Sequence, residues 1–124
     1  MRSLTSFLLI SAFTLPQIVQ AKLLSCPEVY PGEIYKLYRV KLKEVFKNQT
    51  YELAPSQDTT KNEMAYQTWD GFSAESQIFF TCIYANTTKT LEFKLPSSIH
   101  RCQFIFPFPG KETLDTKAKF FCKR

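Results

Sequence analysis

Four cysteines, a single histidine and scattered carboxylates are the residues of this 124-residue chain that could do chemistry. Cys26, Cys82, Cys102 and Cys122 could ligate a metal, supply a nucleophile or pair with one another. Metal ligation calls for CxxC or Cys/His pairs at ligand spacing. Neither occurs, so no metal ligand is assigned; His100 stands two residues from Cys102. A cysteine nucleophile needs a free thiol and a histidine oriented by a third group. His100 lies beside Arg101 in a turn-like stretch and reads as a solvated surface histidine. Glu44, Glu92, Arg39 and His100 could be assembled into a ribonuclease-like acid/base set, but their spacing does not force them together. Glu63, Asp70 and Glu75 lie in polar, loop-like stretches, and three glycines make no phosphate-binding loop. The expectation is a non-enzyme with no catalytic residue and no cofactor.

Pairing is the remaining use for the cysteines, and the N-terminus supports it. Arg2 precedes an apolar run from Leu4 to Leu15, closed by Pro16, and Val19-Gln20-Ala21 offers small residues at a cleavage site. This is the pattern of a secretory signal peptide. Residues 1–21 are therefore excluded from the fold, and 22–124 form one domain. An even cysteine count behind a signal peptide reads as two disulfides formed in an oxidising compartment. Leu23-Leu24-Ser25-Cys26 resembles a lipoprotein box, but Lys22 and two glutamines separate it from the apolar run. Lipidation would also leave an odd number of cysteines, so an anchor at Cys26 is the less favoured reading. No segment has the length and apolarity of a membrane span.

The elements that position these residues are strands. Residues 38–46 alternate Tyr38, Val40 and Leu42 with Arg39, Lys41 and Lys43, the period of a half-buried strand. Residues 77–84 place Ile78, Phe80, Cys82 and Tyr84 on one face and Phe79, Thr81 and Ile83 on the other, which suits a central strand. Residues 90–95, 102–106 and 118–122 are further β-rich runs, and 65–69 is a weaker one. Ala85-Asn86-Thr87-Thr88, Pro96-Ser97-Ser98 and Pro107-Phe108-Pro109-Gly110 separate them. Residues 55–63 read as a polar loop with room for one helical turn. The predicted fold is all-β: a small antiparallel β-sandwich or open barrel of five to six strands, stapled by two disulfides.

In each predicted strand the cysteine shares parity with aromatics: Cys82 with Phe80 and Tyr84, Cys102 with Phe104 and Phe106, Cys122 with Phe120. Sulfur buried among aromatics is a staple, whereas a reactive thiol sits in an exposed, electropositive place. Four cysteines allow three pairings; Cys26–Cys82 with Cys102–Cys122 is preferred, and the sequence does not choose among them. The net charge of +5 is spread along the chain. The densest group, Lys36, Arg39, Lys41 and Lys43, fits a solvated strand face better than a nucleic-acid footprint. Asn48-Gln49-Thr50 and Asn86-Thr87-Thr88 match the glycosylation sequon but read as turns.

The early Cys26-Pro27, central Trp69, Cys82 with Tyr84, Leu95-Pro96, and then Cys102 and Cys122 resemble the marks of a family of small exported Gram-negative proteins. The resemblance covers nearly all of the chain after the leader. Some members are periplasmic immunity proteins paired with type VI secretion effectors that attack peptidoglycan, including relatives of L,D-transpeptidases. The resemblance therefore implies a periplasmic protein, monomeric when free, that binds and occludes a peptidoglycan-acting toxin, with no nucleic acid or membrane partner. A periplasmic lysozyme inhibitor and a secreted ribonuclease-like effector are the alternatives. Loops present shape on a rigid sheet, so the contact surface is expected in 107–111 and 55–64. Phe108 is the candidate anchor with Lys111 at its rim, and Tyr66 and Trp69 are further candidates. For Phe108 the competing reading is packing beneath its own loop, since a small domain needs its aromatics inside.

Overall fold

A computed structural model describes residues 24–112 and 117–124. The leader assigned to residues 1–21 lies outside the described residues. The fold is all-β: β1 (Leu37–Phe46), β2 (Gln49–Leu53), β3 (Gln57–Lys61), β4 (Met64–Asp70), β5 (Gln77–Tyr84), β6 (Thr90–Lys94), β7 (Arg101–Pro107) and β8 (Lys119–Lys123). They form two four-stranded antiparallel sheets, ordered β2-β1-β5-β6 and β3-β4-β7-β8, which do not close into a barrel. This is a sandwich of eight strands, against the five to six that the sequence pattern predicts.

The two unanticipated strands come from tight hairpins. Phe46 pairs with Gln49 across Lys47 and Asn48, both at positive φ (50° and 64°). Lys61 pairs with Met64 across Asn62 and Glu63, again both positive (53° and 66°). Two left-handed residues in a two-residue loop define the hairpin turn whose twist matches the strands it joins. Residues 57–61 are thus a strand with no buried residue, where the sequence pattern suggests a polar loop with a helical turn. Its polarity reflects an edge position with both faces wet.

The cores of the sheets face each other with the expected parity. Val40 and Leu42 of β1, Phe80, Cys82 and Tyr84 of β5, Phe104 of β7 and Phe120 of β8 all join one buried cluster with Trp69. Aromatic contacts stitch the layers: Phe80 meets Phe120 at 4.9 Å and Trp69 meets Phe120 at 6.2 Å between ring centroids. Arg39 and Lys41 sit exposed on the outer face beside Ile83 and Thr81. Lys43 pairs with Glu92 there at 2.9 Å. Tyr38 departs from the alternation. A register shift between Leu37 and Arg39 lets Leu37 turn inward and leaves Tyr38 63% exposed. A bulge adds one residue and so exchanges the faces on either side of it.

Both disulfides follow the preferred pairing, and no described cysteine is free. Cys102–Cys122 joins directly opposite residues of β7 and β8. Cys26–Cys82 ties the segment before β1 to the central strand β5. That same segment also lines the edge of the other sheet: Cys26 N–H donates to Phe120 O, and Cys122 N–H donates to Leu24 O. Tyr84 Oη–H adds a bond of 2.8 Å to Pro27 O. Burial, and secondarily the neighbouring Tyr30, push the Tyr84 phenol up to about 12.

Two predictions follow from this strapping. Cys26 and Cys82 are 56 residues apart and Cys102 and Cys122 only 20, so the first bridge restrains the unfolded chain more. Loop-closure entropy gives ~4 against ~3 kcal/mol. Urea denaturation of the two paired Cys→Ala variants should rank them in that order. The second concerns Tyr84. Above its ordinary value of 10 the unfolded chain releases a proton that the folded chain holds until about 12. Stability present below pH 10 is therefore lost as the pH rises through this window. Tyr84→Phe should cost about 1 kcal/mol near neutrality, and denaturation followed across the window should show a shallower alkaline decline than in the parent.

Candidate functional site

At one end of the sandwich two turns meet. Phe108 N–H donates to Glu63 O at 2.9 Å, which fastens the segment after β7 to the β3–β4 turn. The loop is closed on itself by Lys111 N–H to Phe108 O, also 2.9 Å, and by Gly110 N–H to Glu112 Oε1 at 3.0 Å. Gly110 takes φ of +87°, a backbone conformation that suits residues without a Cβ. Lys111 Nζ reaches Glu63 at 3.6 Å. The 107–111 loop and the β3–β4 turn at Glu63 therefore form one contiguous surface.

Phe108 is 44% exposed on this surface. It does not pack beneath its own loop as a core residue. Tyr66 stands half-buried on the outward parity of β4, opposite Thr59 of β3 and Ile105 of β7. Met64 and Pro107 pair on the same face and carry the apolar strip toward Phe108. Trp69 is elsewhere. It is 3% exposed, inward-facing, and its Nε1–H donates to Leu53 O at 3.0 Å, joining the two sheets.

Behind this end lies a groove of about 620 Å³, within the size range of ligand sites. Gln67, Trp69, Phe104 and Phe106 line one wall, and the rings of Phe104 and Phe106 stack at 4.8 Å. Residues 36–41 line the opposite wall, while Leu53, Pro55 and Pro107 close the ends. Sequence reasoning placed Phe104 and Phe106 on the core face and named Trp69 as a contact candidate, whereas the indole is buried; it did not anticipate the groove. No local signal marks it, because it arises where β2 stops short of the start of β1.

Of the ribonuclease-like set, Arg39 and Glu92 share the outer face of one sheet, and Glu44 and His100 lie elsewhere. Glu44 has the inward parity of β1, Glu92 lies on the outer face with Lys43, and His100 precedes β7 in the other sheet. Among the described residues no group of three His, Cys, Asp or Glu side chains could hold a metal. What the end of the sandwich does offer is a part-apolar surface tied together by main-chain hydrogen bonds.

A family model for the type VI secretion system Tli immunity protein matches residues 31–123. The chain belongs to the Tli immunity protein family. The match runs from before β1 to the last residue of β8, so both sheets and three of the four bridged cysteines lie within it. Comparison with curated proteins and with solved structures returns no match. Membership in the Tli family assigns a role in binding a protein toxin.

The positions of the two aromatics set opposite expectations for folding. Phe108→Ala should change the stability by less than about 1 kcal/mol, as for surface substitutions in general. Trp69→Ala should cost about 3–5 kcal/mol as a large core truncation. Chemical denaturation of the two variants checks the contrast, and a Phe108→Ala loss as large as that of Trp69→Ala would return Phe108 to the core.

Proposed function

We propose that this protein is a periplasmic immunity protein that binds a type VI toxin enzyme and covers its active site. The family match carries the immunity role. Two disulfides suit an oxidising compartment, and the signal-peptide pattern of residues 1–21 supplies the export route. The contact surface is built around Phe108 and Lys111, flanked by Tyr66. A stapled sandwich suits this task, since a partner surface fixed in advance loses little freedom on binding. Peptidoglycan is the toxin substrate that the motif resemblance implies. A bound inhibitor also needs no chemistry of its own, which agrees with the dispersal of Glu44, Glu92 and His100.

The test pairs the protein with the toxin encoded beside it. Cells receiving the toxin in the periplasm should survive when the full chain is present and die when residues 1–21 are removed. Purified protein without the leader should inhibit the toxin at equimolar ratio, scored on peptidoglycan sacculi and on phospholipid vesicles. Inhibition on vesicles alone would replace peptidoglycan as the substrate. Protection by the leaderless form equal to that of the full chain would overturn the periplasmic role, and lack of inhibition on either substrate would overturn occlusion. Phe108→Ala should weaken toxin binding by about 2 kcal/mol or more, as for an anchor side chain.

A further inference from the structure

The two walls of the groove are lined in different ways. On the β4 and β7 side the residues alternate, Gln67 with Trp69 and Phe104 with Phe106, as one face of a sheet does. On the β1 side they are consecutive, from Lys36 through Lys41. Successive residues of a strand point to opposite faces. Six in a row can border one space only when that space lies against the strand's edge. Among the described residues the groove is therefore a strand edge without a partner, above an aromatic floor.

The pairing explains the gap. At one end Val29 bridges Lys36, and Leu37 N–H donates to Glu28 O at 2.9 Å. At the other end β2 begins to pair only at Leu42, opposite Leu53. Between them Arg39, Val40 and Lys41 have β5 on one side and no partner strand on the other among the described residues. From Leu37 to Leu42 the open edge runs about 16 Å at strand rise, room for about four residues. Main-chain donors and acceptors along such an edge are a template for another chain.

We propose that this gap accepts an extended segment of the toxin by strand addition, and that the segment carries an acidic–apolar–acidic sequence. The proposal rests on the immunity reading above and deepens it by naming the chemistry of the partner segment. A residue opposite Val40 faces inward, onto Trp69, Phe104 and Phe106. Its two neighbours face outward beside Arg39 and Lys41. Both cations are exposed, and neither makes an ion pair among the described residues. Opposite charges directly across a strand pair stabilise it and like charges oppose it, so the register selects acidic neighbours. Main-chain bonds supply affinity and the alternating pockets supply specificity, as in strand addition generally.

Amide hydrogen exchange at residue resolution, free and in complex with the toxin encoded beside this protein, reads the edge directly. The groove-facing amides within 38–41 should slow at least tenfold in the complex. The Arg39→Glu/Lys41→Glu variant should keep its melting temperature and bind at least tenfold more weakly, with a smaller salt dependence. Toxin binding that leaves these amides and the variant's affinity unchanged overturns strand addition while the immunity reading stands. A toxin that does not bind overturns the immunity reading, and a peptide arm then decides the groove alone. Acetylated and amidated Thr-Glu-Leu-Glu-Thr at millimolar concentration should shift the Val40 and Trp69 indole resonances. Thr-Lys-Leu-Lys-Thr should do so at least tenfold more weakly. Equal shifts with both peptides, or none with either, overturn the proposal.

Discussion

The sandwich depends on one short segment that belongs to neither sheet. Leu24 to Cys26 hydrogen-bonds along the edge of β8, and the Cys26 sulfur is bonded to Cys82 in the middle of the opposite sheet. No strand of one sheet pairs with a strand of the other, so the layers are held by side-chain packing and by such crossings. The segment performs three tasks at once. It satisfies the outer edge of β8, fixes the spacing of the layers through a covalent bond, and buries the Tyr84 hydroxyl against Pro27 O. For a domain of this size, whose core alone supplies limited stability, staples of this kind are the usual supplement.

The strap also decides where the fold stays open. It runs on from Cys26 to Val29, which bridges Lys36, and from there until β2 arrives no described strand pairs with that edge of β1. Trp69 limits how far the layers can close at that end, because its indole spans from β4 to Leu53 O. The groove is thus a consequence of strand lengths and of one indole bridge. The exposed Phe108 loop is held against the β3–β4 turn by main-chain bonds.

The legibility of the sequence follows the strength of its period. β5 was readable because both faces are apolar and its cysteine shares parity with Phe80 and Tyr84, and the structure buries Ile78, Phe80, Cys82 and Tyr84 together. That the cysteines form two buried bridges was readable from count and parity, whereas the pairing was a preference that the sequence did not decide. β3 was not, because Gln57 to Lys61 has no buried face and hence no period. Its turn, Asn62-Glu63, reaches positive φ without the glycine that marks most such turns. Tyr38 was misplaced because a bulge shifts the alternation by one residue, a change that pairing determines and composition does not. Of the nominated contact residues, Phe108, Lys111 and Tyr66 lie on or beside one surface, whereas Trp69 serves the interior and the groove. The groove itself is a relation between the end of β2 and the start of β1, two points far enough apart in sequence that no local pattern links them.

An open strand edge carries a hazard that the same residues answer. Unpaired main-chain groups invite pairing with any extended chain, including a second copy of the protein. Two copies meeting edge to edge in antiparallel register around Val40 would set Arg39 of each against Lys41 of the other. That contact brings four cations together, and like charges across a strand pair are unfavourable. Charge on an edge is one of the devices by which sheet proteins avoid self-pairing. The bulge at Leu37 strengthens the effect, since it twists the strand and turns Tyr38 outward at the mouth of the gap. Exclusion of its own kind and preference for an acidic segment are thus one property of the edge, fixed by two side chains on the outer face of β1.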